Sequence, residues 1–271
     1  MYLDGNLLSQ EQSLAYANRA FMNGDAVKVY FFFKNKKVIL AEDVYFFLMS
    51  SMRKMRMNIP LSFTLEFFTD IFSQAIQNLP FDNGYIKVLA FRKIEDTFSA
   101  KTPIHFVYEV VREDNLFQIK KNIELDIIKE ISVNTHVLSN IHTHCPENIY
   151  AEIYAQENDL DDVILLNPNK RIARSIYGNL LFLEGNTIKI PKQTEGAYIS
   201  PLMESFITYV HKNRLAEIEQ VEMIAFESQK ADEILMISDE KGIFSVNKIR
   251  NKEFTNSRFS EMIEKWNLTL V

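Results

Sequence analysis

The sequence predicts a mixed α+β fold made of two subdomains. Its strand-like segments come in hairpin-like pairs, and the helical segments are interspersed among them rather than alternating strictly with single strands. A chain of 271 residues is long enough to bury two cores. Hydrophobic residues make up 47% and charged residues 24%, which is ordinary for a globular protein. These observations argue against a doubly wound parallel sheet.

The first subdomain is predicted to combine hairpin strands with two helices. Glu42 and Asp43 suit the first turn of a helix, and Pro60 prevents its continuation. A second helix follows from apolar residues at helical spacing, which begin at Leu65. The predicted elements are strands at 26–33 and 38–40, helices at 42–58 and 65–80, and strands at 85–94 and 103–111.

The second subdomain is predicted to contain short strands and three helices. The mixed pattern of residues 120–135 has no breaker and is interpreted as the join between the halves, so the subdomains are placed at 1–125 and 126–271. The predicted elements are helices at 149–157, 201–213 and 257–266, and strands at 161–167, 171–176, 179–185, 187–191 and 231–238.

Composition excludes several classes of function. The net charge is −6 and no basic stripe is present, which argues against a nucleic-acid partner. A single cysteine rules out an internal disulfide framework and, together with an N-terminus unlike a signal peptide, suits the cytoplasm. No window approaches twenty apolar residues, so no membrane span is expected. The low glycine count of 7 weighs mildly against a phosphate-binding cofactor site.

Three stretches, taken in order, resemble the class IV aminotransferases. This family contains branched-chain and D-amino-acid aminotransferases and aminodeoxychorismate lyase. The stretches begin DGNLLSQ, DDVILLN and ADEILMI, and the matching residues are Asn18, Arg19, Ala20, Phe21, Gly24, Asp25, Asn179, Pro191, Ala231, Asp232, Glu233, Gly242 and Ile243. The resemblance covers nearly the whole chain, and it implies a homodimer that holds pyridoxal phosphate (PLP) between two subdomains.

PLP chemistry requires a lysine amine, and the resemblance places a histidine there. The family pattern around the lysine, I-K-T-x-N, is matched by a run in which His142 holds the lysine position. Imidazole has no primary amine, so it cannot form an imine with the cofactor aldehyde. Covalent attachment is therefore expected to be lost.

The other cofactor contacts also depart from the family pattern. The acid that pairs with the pyridine nitrogen should lie five residues before Asn179, where the chain has Arg174, which can only donate hydrogen bonds. Phe47 replaces the arginine that binds the phosphate. The phosphate loop keeps Gly196 but substitutes Ser200, and the following proline lacks an N–H group. The family's Thr-Asn pair corresponds to Ile237 and Ser238.

Several alternatives remain open at the level of sequence. Another lysine could serve, namely Lys170, Lys189 or Lys192. His142, His144 and Cys145, with His136 as a fourth ligand, contain residue types that bind zinc, but no partner pair with ligand spacing exists elsewhere. A nucleophilic pair of Cys145 and a histidine is also conceivable.

The sequence therefore predicts a cytoplasmic, homodimeric relative of class IV aminotransferases that has lost PLP-dependent catalysis. No cofactor or metal is predicted. The former cleft, lined by Phe47, His142, Arg174, Tyr198 and Ser200, is expected to be filled or to bind another small ligand. Arg174 and the histidines favour an anion. The alternatives are an active aminotransferase or aminodeoxychorismate-type lyase that holds PLP by rearranged contacts, and a dimeric scaffold with a vestigial cleft.

Overall fold

The chain divides into two compact units in the computed structural model, which describes residues 2–3, 5–7, 19–93, 99 and 101–270. The first unit comprises residues 1–114 together with 141–144, and the second comprises 115–140 and 145–270. A boundary at residue 125 would fall inside a strand, Ile119–Ile127, that lies entirely in the second unit. Among the described residues, no helix is both long enough and apolar enough to cross a membrane.

The first unit is built on a six-stranded antiparallel sheet. Its spatial order is β2-β1-β6-β5-β3-β4. The strands are β1 (Tyr2–Leu3), β2 (Asn6–Leu7), β3 (Ala26–Lys34), β4 (Lys37–Ile39), β5 (Gly84–Arg92) and β6 (Ile104–Arg112), and the helices are α1 (Arg19–Asn23), α2 (Ala41–Lys54) and α3 (Leu65–Gln77).

Aromatic packing holds α3 on one face of this sheet. The ring of Phe31 on β3 lies 4.8 Å from that of Phe72 and 6.2 Å from that of Phe68. Phe68 and Phe72 are one turn apart on α3, and both are fully buried, as the helical spacing predicted. Because alternate residues of a strand share a face, Lys28 and Tyr30 lie on the opposite side of the sheet.

The second unit is built on a nine-stranded mixed sheet. Its order is β12-β11-β10-β13-β14-β7-β8-β9, and β15 pairs with β14. The strands are β7 (Ile119–Ile127), β8 (Asp162–Leu166), β9 (Ile172–Ser175), β10 (Asn179–Glu184), β11 (Thr187–Pro191), β12 (Glu217–Val221), β13 (Glu233–Ser238), β14 (Gly242–Ile249) and β15 (Lys252–Glu253). Three helices complete the unit: α4 (Pro146–Glu157), α5 (Pro201–Lys212) and α6 (Ser257–Asn267).

The interpretation of residues 120–135 as a connecting segment was wrong for its first half. Strand β7 lies inside the second sheet, parallel to both β14 and β8. Its residues Ile119, Ile123, Leu125 and Ile127 are apolar at alternating positions, which is the pattern of a strand with one buried face. Two lysines and two acids among them hid this pattern, because Lys121 interrupts the alternation and Lys120, Glu124 and Asp126 lie on the other face of the strand.

The remaining differences are at element ends and at strands that were not predicted, among them β12 and the more apolar β14. Helix α2 ends at Lys54 rather than near Asn58, and α4 begins at Pro146 rather than near Ile149. Strand β12 was not predicted, because only Ile218 and Val221 among its five residues are apolar. It is an edge strand, held by parallel pairing with β11. Residue Asn18 of the opening motif lies outside the described residues.

Candidate functional site

The His142 side chain lies among aromatic rings of the first unit. An isolated bridge pairs His142 with Lys28 on β3, where the Lys28 N–H donates to the His142 carbonyl at 2.8 Å. The imidazole ring contacts the ring of Tyr30 edge to face, with centroids 6.0 Å apart, and that of Phe47 at 6.4 Å. The structure thus brings together two predicted site residues, Phe47 and His142. It also places a lysine backbone directly opposite His142, which the sequence alone did not indicate.

Close packing at Gly24 fixes the end of the segment that carries His142. Gly24 adopts a φ of 63°, and a Cβ atom added to it would lie 2.5 Å from the Cβ of His144. Only glycine fits this position, because any side chain would both strain the backbone and clash with the histidine. Gly24 belongs to the opening motif, so this position of the motif has a packing reason.

Arg174 is buried in the second unit and is bonded by its own chain. Nη1 donates to the carbonyl oxygens of Ser175 at 2.8 Å and Ile176 at 3.2 Å, and Nη2 donates to Oδ1 of Asn148 at 2.8 Å. The guanidinium carbon lies 4.1 Å from the centroid of the Tyr198 ring, a cation–π distance. Of the guanidinium nitrogens of Arg174, only Nε is buried without a hydrogen-bond partner among the described residues. These contacts already use most of the guanidinium N–H groups that would otherwise bind an anion.

Asn179 holds the backbone of Tyr198 in place. Its amide group donates to the Tyr198 carbonyl at 2.8 Å, and its Oδ1 accepts from the Tyr198 N–H at 2.9 Å. The Tyr198 hydroxyl accepts from Nδ2 of Asn148 at 2.9 Å, and burial raises the pKa of this hydroxyl. Asn179, Tyr198 and Arg174 therefore form one connected group within the second unit.

The N-terminus of helix α5 is occupied by a carboxylate of the same chain. Asp239 lies directly after β13, and its Oδ1 accepts from the Ser200 hydroxyl at 2.6 Å and from the Leu202 N–H at 3.2 Å. The Ser200 Oγ in turn accepts from the Met203 N–H at 3.1 Å. Asp239 is only 3% exposed. Burial is the main cause that raises its pKa to about 7, and the two hydrogen bonds oppose that rise.

Three other residues at predicted cofactor positions, Gly196, Ile237 and Ser238, are engaged in packing or hydrogen bonds within the chain. Gly196 has a φ of 101°, and a Cβ there would lie 2.9 Å from the carbonyl oxygen of Asn134. Ile237 is fully buried and pairs with Asn179 across β10 and β13. The Ser238 hydroxyl donates to the Tyr177 carbonyl at 2.6 Å and accepts from the backbone N–H groups that follow it. Ser238 thus fixes the turn that carries Asp239.

The lysines considered as replacements are engaged elsewhere. Nζ of Lys189 lies 2.5 Å from a Glu184 carboxylate oxygen, and Nζ of Lys192 lies 3.0 Å from one of Glu222. Lys170 follows a turn and has a positive φ of 58° with an exposed side chain. These contacts give each lysine the surroundings of a surface residue.

The histidines and the cysteine do not assemble a metal site in the described part of the chain. There, no group of three His, Cys, Asp or Glu side chains is arranged to hold an ion. Cys145 precedes the first turn of α4, and its thiol donates to Oε2 of Glu147 at 3.2 Å. Burial raises the pKa of the Cys145 thiol, although the charge of Arg174 opposes this effect. A thiol held in its protonated form is a poor nucleophile.

One cavity of about 310 Å³ lies beside α5 in the second unit. Tyr198, Met203 and Glu204 line it, together with aliphatic residues of β11 and β12. No lysine, arginine or histidine is among its lining residues. The cavity therefore offers no cation to an anionic ligand.

The comparisons with known proteins agree with this fold. The family model described as amino-transferase class IV matches residues 27–249. The chain belongs to the class IV aminotransferase family. This result confirms the resemblance in the sequence and the mixed fold that it implied. No curated protein sequence matches the chain significantly.

Solved structures of this family resemble the chain over nearly its whole length. A branched-chain aminotransferase from Thermoproteus uzoniensis is 14% identical and has a TM-score of 0.87, with 98% of this chain and 92% of that chain covered. The branched-chain aminotransferase of Escherichia coli is 13% identical, with a TM-score of 0.85 and coverage of 97% and 91%. A protein assigned as a 4-amino-4-deoxychorismate lyase in Legionella pneumophila is 17% identical, with a TM-score of 0.84 and 96% of each chain covered.

The described residues do not fit PLP at the positions that the family resemblance assigns to it. His142 offers no amine, and its ring packs against Tyr30 and Phe47. Arg174 brings a positive charge where an acid is needed to hold the pyridine nitrogen protonated. At the N-terminus of α5 the carboxylate of Asp239 already takes the Leu202 N–H and the Ser200 hydroxyl. A phosphate placed there would meet a negative charge instead of free donors.

Sequence reasoning did not find Asp239, although a signal was available. Asp239 directly follows the apolar run Glu233–Ser238, the element that matches a family motif. A carboxylate at the end of a fully buried strand must find hydrogen-bond donors, because burying a charge without them is costly. The donors lie at the N-terminus of α5, whose capping residue Ser200 is 39 residues earlier in the sequence, so no local pattern could identify them.

Proposed function

We propose that this class IV protein does not use PLP and has no aminotransferase or lyase activity. The observation that carries the proposal is the residue at the lysine position. His142 packs its ring edge to face against Tyr30 and Phe47, and an imidazole cannot form the imine on which all PLP chemistry of the family depends. Two further observations support the same conclusion. The buried Arg174 stands at the position assigned to the partner of the pyridine nitrogen, and a carboxylate occupies the N-terminus of α5 assigned to the phosphate.

A small anionic ligand remains part of the proposal, but the contacts move its binding away from Arg174. Three of the Arg174 hydrogen bonds go to carbonyl oxygens and to Asn148. In the first unit, Lys28 stands opposite His142, and its Nζ lies 5.7 Å from the centroid of the Tyr30 ring. Directly paired residues of neighbouring strands share a face, so Lys28 and His142 present two nitrogen-bearing side chains together.

The alternative is an active enzyme that attaches PLP through another lysine. Lys28 favours this alternative, because among the described residues it is the one paired with His142 across the bridge. Its amine would have to replace that of a lysine in a different backbone position, with none of the usual phosphate contacts. We regard Lys28 as the residue to examine first if any cofactor is retained.

Incubation with PLP followed by borohydride separates these readings. Borohydride reduces an imine between a lysine amine and the aldehyde to a stable secondary amine, which mass spectrometry locates on a peptide. We expect no stoichiometric adduct on the wild-type protein after dialysis. The matched variants are Lys28→Met, and Lys189→Met as a surface control for nonspecific labelling. A stoichiometric adduct on Lys28 that disappears in Lys28→Met would establish the alternative instead.

The proposal also includes a homodimer, and one surface favours a role in association. Ile149, Tyr150 and Ile153 on α4 are 52%, 48% and 52% exposed, and their spacing places Ile149 and Ile153 on one face of the helix. Large apolar side chains grouped on a helix surface are typical of contact sites. Sedimentation equilibrium of the wild type and of Ile153→Glu measures this directly, and a monomeric wild-type protein would refute the dimer.

A further inference from the structure

We infer that the Asp239 carboxylate is a built-in anion that closes the N-terminus of helix α5 to phosphate and phosphorylated ligands. Helix N-termini bind anions because their first N–H groups have no partner within the helix and the helix dipole adds positive potential. In this chain the anion is part of the protein. Replacing the carboxylate should by itself turn the terminus into an oxyanion site.

Each backbone donor of the first turn of α5 has a partner. Pro201 has no N–H, and the Leu202 N–H donates to Asp239 at 3.2 Å. The Met203 N–H donates to Oγ of Ser200 at 3.1 Å, and the Glu204 N–H donates to the Ser200 carbonyl at 2.9 Å. A phosphate arriving at this terminus finds no unused N–H group.

The position of Asp239 is set by the end of β13 and cannot shift easily. Ser238 pairs with Gly242 across the β13–β14 hairpin, and its hydroxyl accepts from the N–H groups of Glu240 and Lys241. Its own proton goes to the Tyr177 carbonyl at 2.6 Å. The turn that presents Asp239 is therefore bonded at several points. An incoming ligand would have to break these bonds to move the carboxylate aside.

The electrostatics of the terminus also oppose a second anion. Asp239 is buried, it receives two hydrogen bonds, and the nearby carboxylate of Glu204 raises its pKa further. A phosphate dianion placed within contact distance would add repulsion between like charges in a poorly hydrated place. With Asp239 replaced by the shorter serine, the Leu202 N–H and the Ser200 hydroxyl lose this acceptor and become available to an oxyanion.

Inorganic phosphate is the probe, and isothermal titration at pH 8 and constant ionic strength is the measurement. The full-length wild type is compared with Asp239→Ser and with the isosteric Asp239→Asn. Asp162→Asn is the matched control, because Asp162 is also a buried acid whose pKa is raised, to about 6, but its Oδ1 serves the N–H groups of Val163 and Ile176 outside any helix terminus. Circular dichroism establishes that each variant is folded.

We expect Asp239→Ser to bind phosphate at least about tenfold more tightly than the wild type and the control, and Asp239→Asn to fall between them. Equal binding by the wild type and Asp239→Ser would overturn the inference, as would a folded pair of variants that bind no better than the wild type. If Asp239→Ser does not fold, the inference is tested by whether Asp239→Asn binds phosphate more tightly than the wild type. The experiment does not involve His142, so its failure would leave the proposal on PLP chemistry standing.

Discussion

The N-termini of helices α5 and α6 are each occupied by a buried acid at one end of strand β13, yet the two acids are bonded very differently. Glu233 begins β13 and serves α6, and Asp239 follows β13 and serves α5. Oε1 of Glu233 accepts from the Arg258 N–H at 3.0 Å, and Oε2 accepts from the Phe259 N–H at 2.9 Å. Glu233 also accepts from the hydroxyls of Thr255 and Ser257, whereas Asp239 has only one N–H and one hydroxyl.

We infer from this difference that the number of donors decides whether a buried carboxylate at a helix end stabilises the fold. Charge-assisted hydrogen bonds compensate the loss of hydration, and each additional donor favours the ionised form. Glu233 is held by donors to both oxygens and works as a full helix cap. Asp239 keeps a raised pKa because its two donors do not offset its burial. We therefore expect Glu233 to stabilise the fold, and the ionised form of Asp239 to lower its stability.

The largest expected effect is the loss of stability in Glu233→Gln. The amide keeps one acceptor but places an NH₂ group against a backbone donor, so we expect about 3 kcal/mol less free energy of unfolding. Urea unfolding followed by the fluorescence of Trp266, which is buried within α6, measures it. The control is Glu253→Gln at an exposed position on β15, which should change stability by less than about 0.5 kcal/mol. Similar losses in both variants would contradict the comparison.

Asp239→Asn should increase the free energy of unfolding at pH 8, whereas Glu233→Gln should lower it. The wild-type carboxylate is ionised there although burial disfavours its charge, and asparagine keeps an oxygen for the Ser200 hydroxyl and the Leu202 N–H. We expect the variant to be more stable than the wild type by at least about 2 kcal/mol. The same urea experiment measures this change. A destabilised variant at pH 8 would mean that the ionised carboxylate is a net stabilising cap like Glu233.

The pH dependence of stability tests the cost of the ionised Asp239 carboxylate by titrating it. A carboxyl whose folded pKa is raised binds more protons in the folded state than in the unfolded state. Its contribution is therefore fully present below pH 3.8 and is lost as the pH rises through the folded value. For Asp239 the loss should extend to about pH 7, and for Asp162 to about pH 6. The stability difference between Asp239→Asn and the wild type should grow from near zero at pH 4 to its full size at pH 8. A difference that is constant with pH would show that titration of Asp239 is not its cause.

The smallest effect is expected from Ser200→Ala. The hydroxyl caps the Met203 N–H and donates to Asp239, so its removal should cost about 1 kcal/mol at pH 5, where Asp239 is protonated. At pH 8 the cost should be larger, because the ionised carboxylate then loses one of its two donors. Thr208→Ala on the exposed side of α5 is the control and should differ from the wild type by less than about 0.5 kcal/mol at either pH. If Ser200→Ala lowers the free energy of unfolding equally at pH 5 and pH 8, the capping role of Ser200 does not depend on the charge of Asp239.

Local sequence patterns predicted much of the fold. The helical spacing of Phe68, Phe72 and Ile76 predicted α3 and its buried face, and the run that forms β13 was predicted as a strand. Predictions failed for β12, where apolar residues are few, and for β7, where charges separate them. Strand β14 was also missed, although four of its eight residues are apolar. Of the site positions, His142 and Phe47 proved to be neighbours, whereas the partners of Arg174 could not be read from sequence, since Asn148 lies 26 residues away.

The sequence by itself determined the family and the order of most elements, because both depend on residue types and their spacing. The tertiary structure alone decided which groups satisfy the buried charges. Hydrogen bonds and ion pairs depend on distances of a few ångströms between residues far apart in the chain. For this reason the paired Lys28 and His142, the enclosed guanidinium of Arg174, and the contrast between Glu233 and Asp239 became visible only when the strands and helices were packed together.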